Sequence, residues 1–132
     1  MPNFQKPNLT SDPGGHNRGP YVSIRSDKNT VGLSKAAQEK LGASEGAYLH
    51  LALDSTYRPW VAVLEEPTSQ GEPQIRADGD GGRCVNSTLL NRQLRRLIDG
   101  DAEGVFRFYL AGETTEDPET GATLHRLEVP EA

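Results

Sequence analysis

Apolar residues in this chain recur in short runs, some alternating with polar residues and some at helical spacing. Tyr21-Val22-Ser23-Ile24-Arg25 alternates and predicts a strand. The polar turn Ser26-Asp27-Lys28-Asn29 follows, and Thr30-Val31-Gly32-Leu33 predicts a second strand. Ser34 suits an N-cap, because its hydroxyl can accept from an orphan backbone N–H of the next turn. A helix over 35–41 is predicted, with Ala37 and Leu41 facing the core and Gly42 closing it. Residues 48–53 alternate again, with Leu49, Leu51 and Leu53 on the expected core side and Tyr48, His50 and Ala52 on the other. Residues 54–59 form a hairpin loop, and 60–64 return as an apolar strand.

The same order then recurs. Ile75-Arg76-Ala77-Asp78 echoes Ile24-Arg25-Ser26-Asp27, Ser87 stands where Ser34 did, and Asn86 or Ser87 is expected to cap the second helix. Leu90, Leu94, Leu97 and Ile98 form the apolar stripe of a second helix, expected over 88–98. Glu103-Gly104 matches Glu45-Gly46, residues 105–110 alternate as a strand, 114–121 read as an acidic hairpin loop, and 123–129 close the unit. The expectation is an α+β, mostly β fold built from two tandem strand-strand-helix-strand-strand units. Residues 1–20 are a flexible arm, 21–66 the first unit, 67–73 a polar linker bounded by prolines, and 74–130 the second unit. Residues 21–130 are expected to form one compact domain, since one unit of short strands and a small helix cannot bury enough surface alone.

The turn Asp27-Lys28-Asn29, the strand Thr30-Val31-Gly32-Leu33, the pair Ser34-Lys35, Leu41-Gly42, Glu45-Gly46 and the strand 48–53 together resemble the AbrB/MazE-like swapped-hairpin family of DNA-binding proteins. The resemblance covers roughly residues 23–65. The second copy follows through its order of elements, Ser87 and Glu103-Gly104. The family usually has proline where Ser34 stands, glycine near Asn29 and Asp where this chain has Ala47. The resemblance implies an AbrB-like barrel, here an intramolecular pseudo-dimer. It also implies DNA contact through basic residues of paired hairpins: Arg25, Lys28 and Lys35 in the first copy, Arg76 and Arg83 in the second. The helix residues Arg92, Arg95 and Arg96, at i, i+3 and i+4, form a second basic patch, read first as a solvated face.

Charge changes this picture by its distribution. The net charge is -5, and residues 1–60 hold seven Lys/Arg against five Asp/Glu, whereas 61–132 hold seven against fourteen. An acidic total argues against non-specific adhesion to nucleic acid but leaves room for a local basic face. A single cysteine, Cys84, rules out an intrachain disulfide and reads as a small buried residue. The run Asp78-Gly79-Asp80-Gly81-Gly82 lacks the EF-hand glutamate and the Gly-Lys-Ser/Thr of a phosphate loop, so it reads as a turn. His16, His50 and His125 are scattered, with His50 and His125 expected half-exposed, so no catalytic or metal set is expected and no cofactor is implied. With no bilayer-length apolar run and no basic-then-apolar leader, a cytoplasmic protein is expected.

Two function classes follow. The first is a non-enzymatic DNA-binding protein, a transcriptional regulator or antitoxin-like protein. The alternative is a structural or assembly protein, such as a virion-associated one, using the same barrel without nucleic acid. A protein partner would meet the arm 1–20, with Phe4 and Leu9 as anchors. The chain would be a monomeric pseudo-dimer or a homo-oligomer.

Overall fold

The computed structural model describes residues 19–25, 27–78, 82–98 and 104–130. The described residues form eight strands and two helices: β1 (Tyr21–Arg25), β2 (Thr30–Leu33), α1 (Lys35–Leu41), β3 (Tyr48–Leu53), β4 (Pro59–Leu64), β5 (Ile75–Asp78), β6 (Gly82–Asn86), α2 (Thr88–Arg95), β7 (Val105–Glu116) and β8 (Thr123–Glu128). Residues 1–18, Phe4, Leu9 and His16 of the expected arm among them, and residues 26, 79–81, 99–103 and 131–132 lie outside the described set.

All strands join one antiparallel sheet in the order β3-β4-β8-β7-β1-β2-β6-β5. Its two edge strands meet. Tyr48 bridges Gln74, the Ile75 N–H donates to the Ala47 carbonyl at 2.7 Å, and the Leu49 N–H donates to the Pro73 carbonyl at 3.0 Å. The sheet is therefore a nearly closed barrel, which leaves little unpaired edge.

The alternating residues of β1 and β2 face inward, where Val22, Ile24 and Val31 join Val85, Phe108 and Leu127 in the main core. β4 is apolar at every position because both of its faces are covered. Val61 joins the main core, while Trp60 and Ala62 form a second cluster with Leu124 on the opposite face.

The helix caps match expectation. The Ser34 hydroxyl accepts from the Ala37 N–H at 3.1 Å and the Ser87 hydroxyl from the Leu90 N–H at 3.0 Å. Gly42 ends α1 with φ 68°, a conformation costly for any residue with a Cβ. The second helix is shorter than its apolar stripe predicts. It stops at Arg95 with Arg96 as C-cap, and Leu97 and Ile98 continue in tighter turns, donating to the carbonyls of Leu94 and Arg95. Ile98 still reaches the core, so burial of the stripe does not require α-helix to its end.

Three further expectations change. The segment expected as an acidic loop over 114–121 is strand as far as Glu116, where Thr114, Thr115 and Glu116 pair with His125, Leu124 and Thr123 after a register shift that follows Leu110. The segment expected as a linker is tied to β3 through Pro73 and through Glu72. His50, expected half-exposed, is only 7% exposed, because Glu72 and Asp117 come in beside it from the segments after β4 and β7.

Candidate functional site

The register across β7, β1, β2, β6 and β5 determines which side chains share the outer face. Val22 and Ile24 point into the core, so Tyr21, Ser23 and Arg25 point outward. Directly opposite residues of antiparallel strands share a face. Ser23 pairs with Gly32 and with Arg107, Gly32 with Cys84, and Cys84 with Arg76. The outer face of these five strands therefore carries Arg25, Arg76 and Arg107, with small residues between them. A Cβ on Gly32 would lie 2.8 Å from the Ser23 hydroxyl oxygen, so a larger residue there would require that hydroxyl to turn away.

Arg25, Lys28 and Arg76 line one depression of about 450 Å³, with Thr30, Ala77, Cys84 and Asn86 completing it. The first hairpin brings Arg25 and Lys28, and the second brings Arg76; β2 and β6 pair side by side to unite them. Asp27 partly offsets this charge. Arg25 Nε and Nη2 donate to its two carboxylate oxygens at 3.1 and 3.2 Å. Both side chains are more than half exposed, so the pair contributes little to stability and leaves Arg25 accessible.

Lys35 and Arg83 lie elsewhere. They border a separate depression with Gln38, Glu39 and Ala43, and Arg83 Nη1 donates to Gln38 Oε1 of α1 at 3.2 Å. The second basic patch also divides. Arg92 and Arg96 are exposed, but Arg95 is half-buried and its guanidinium donates to Asn91 Oδ1 at 2.7 Å and to the Arg25 carbonyl at 3.4 Å. Helical spacing puts the three arginines on one side of α2, but it does not reveal that the β1–β2 hairpin lies against that side.

Asn91 is the residue that sequence reasoning missed in this bracing. It is buried and its amide donates to the Thr30 carbonyl at 2.8 Å. The Ser87 N–H donates to the Asn29 carbonyl at 2.9 Å. The start of α2 thus holds the backbone of the hairpin that carries Arg25 and Lys28. Arg107 was also missed, although its place on the outward side of an alternating strand was readable. Its guanidinium carbon lies 4.6 Å from the Tyr21 ring centroid. A side-chain hydrogen bond with Tyr109 is the main cause that raises its pKa above the ordinary arginine value. Tyr21 and Tyr109 meet edge to face at 5.5 Å.

A second polar cluster surrounds His50. Its Nδ1 lies 2.8 Å from Glu72 Oε2 and its Nε2 lies 3.7 Å from Asp117 Oδ2. Glu72 also accepts from the Thr68 N–H and hydroxyl, each at 2.7 Å. Every one of these carboxylate contacts is made within the protein, and the cluster ties three segments of chain together. Among the described residues, no group of three or more His, Cys, Asp or Glu side chains could hold a metal ion. No helix there is long and apolar enough to cross a membrane. No protein-family model matches the chain, and comparison with curated proteins and with solved structures returns no match.

Proposed function

We propose that this chain is a non-enzymatic DNA-binding protein of the AbrB/MazE-like swapped-hairpin kind, a transcriptional regulator or antitoxin-like protein in which one chain supplies both halves of a pseudo-dimer. The observation that carries the reading is the convergence of Arg25, Lys28 and Arg76, from two hairpins, on one depression. Phosphate contacts from such cations supply most of the affinity of a protein for duplex DNA. The pseudo-dimer is supported by the strand neighbours. Exchanging β1–β4 with β5–β8 turns β1–β2 into β5–β6 and β3–β4 into β7–β8, leaves β2–β6 and β4–β8 as they are, and turns β1–β7 into the seam between β5 and β3. The glycines of the two Glu-Gly pairs, Gly46 and Gly104, also share a positive φ, at 96° and 110°.

The test is fluorescence anisotropy of a labelled mixed-sequence duplex across a salt series. Three phosphate contacts predict a slope of log K against log salt of about -2.7. Arg25→Ala and Arg76→Ala should each reduce the slope by about 1. A duplex left unbound at low salt rejects the reading.

A second reading, an assembly protein, is favoured by the β3–β4 hairpin. There Tyr57 is 74% exposed at φ 62°, and Leu53 is exposed beside it in the same hairpin. The Asp54 carboxylate holds this loop, accepting from Thr56, Arg58 and the Trp60 indole N–H. Concentration-dependent oligomers seen by light scattering and lost in Tyr57→Ser would support self-association. A monomer at every concentration would count against it.

A further inference from the structure

We propose that the DNA-binding face is lopsided, with Arg107 adding a contact on one flank that has no cationic counterpart on the other, so that the chain prefers a non-palindromic duplex site. The inference rests on the DNA-binding reading above.

One row of residues crosses the outer face, in the order Arg107, Ser23, Gly32, Cys84, Arg76. Arg107 lies diagonally across from Arg25 on the neighbouring strand of the same outer face, about 7–8 Å away, so it extends the cationic depression on the β7 flank. Arg107 is positioned before any ligand arrives, with its guanidinium over the Tyr21 ring. A side chain already fixed loses less conformational entropy when it contacts a phosphate.

The counterpart of Arg107 follows from the register. Arg107 pairs with Ser23, two residues before Arg25, while Tyr48 bridges Gln74, two residues before Arg76. By strand pairing, exchanging the halves puts Arg107 on Tyr48; counted from Gly104 and Gly46 it falls one residue further, on Leu49, and neither of these is a cation. The sequences that follow Arg25 and Arg76 differ in the same sense: the first contains Lys28, whereas residues 78–82 contain two aspartates and no Lys or Arg. One half of the face thus presents Arg25, Lys28 and Arg107, and the other presents Arg76 beside a tyrosine. A palindromic duplex offers identical half-sites, and these two halves are not matched to identical half-sites.

Two measurements test this on the full chain. In the anisotropy assay with a mixed-sequence duplex, Arg107→Ala should weaken binding about tenfold at moderate salt and lower the salt slope by about 1. Arg107→Lys, which keeps the charge, should keep the slope. Arg126→Ala, which removes a β8 cation ion-paired to Glu113 of β7, should change neither. Thermal melts of each variant separate a lost contact from a lost fold. Selection from a randomised duplex pool should then enrich a site without twofold symmetry. If Arg25→Ala weakens binding while Arg107→Ala does not, or if the selected site is a palindrome, the lopsided face is overturned and the DNA-binding reading stands. If no duplex binds, both fall together.

Discussion

Asp27 stands at the edge of the cationic depression and accepts two hydrogen bonds from Arg25. A carboxylate there repels phosphate and competes for the guanidinium, yet it adds little to stability because both groups are exposed. Asp27→Asn is therefore expected to tighten duplex binding by about two- to tenfold at low salt, with an effect that fades as salt rises. Anisotropy titrations at two ionic strengths check both parts, and an unchanged melting temperature separates the effect from folding. Glu72 gives a prediction about stability instead. Burial pushes its pKa up, but hydrogen bonds from the Thr68 hydroxyl and N–H, its own N–H and His50 outweigh this and hold it at about 2, below the ordinary 4.5. A depressed carboxylate stabilises the fold fully above its unfolded value and loses that contribution as pH falls from 4.5 towards about 2. The wild-type urea midpoint should fall across this window. Glu72→Gln should lower the midpoint at neutral pH and flatten part of the acid slope. Asp117, also depressed, by its bonds from Thr120 and Glu119, retains the remainder.

Among the elements, α2 braces the β1–β2 hairpin, because its Asn91 and Arg95 hold the hairpin backbone. Asn91→Ala leaves the part-buried Thr30 carbonyl without this donor and is expected to cost about 1–3 kcal/mol by chemical denaturation. It should also weaken duplex binding, since the hairpin that presents Arg25 and Lys28 would no longer be fixed. The two caps should differ. Ser34 accepts from both Ala37 and Tyr21, whereas Ser87 accepts from Leu90. Ser87→Ala is expected to cost about 1 kcal/mol, and Ser34→Ala more, because it also removes a link to β1. Such caps were legible because the signal is local: a hydroxyl immediately before a helical stripe. The strands were legible from alternation for the same reason. The burial of His50 and the bracing role of Arg95 were not, because each depends on a segment distant in sequence. His50 meets Glu72 and Asp117, and Arg95 meets the Arg25 carbonyl 70 residues away. Periodicity states which side a residue faces, but it does not state what else arrives there.

For the whole molecule, the strand order makes each half depend on the other. β1 lies between β2 of its own half and β7 of the other, and β2 and β6 pair across the middle. The cationic face shares that dependence, since Arg25 and Arg76 come from different halves and meet only through β2 and β6. The family resemblance implies Arg25, Lys28, Lys35, Arg76 and Arg83 together, and only register divides them, Arg25, Lys28 and Arg76 to one depression and Lys35 and Arg83 to another. The interdependence predicts how the halves behave when separated. Each would leave the core-facing residues of its β1-like and β2-like strands without partners, and a unit of this size buries too little apolar surface to fold alone. A fragment of residues 1–70 and one of residues 71–132 should each be unfolded by circular dichroism, or should self-associate by pairing the same edges between copies. Mixed, they should recover the spectrum of the intact chain and bind duplex DNA, in a concentration-dependent manner that the intact chain lacks. Independent folding of either fragment as a monomer would contradict the interleaved architecture, and the two-hairpin face with it.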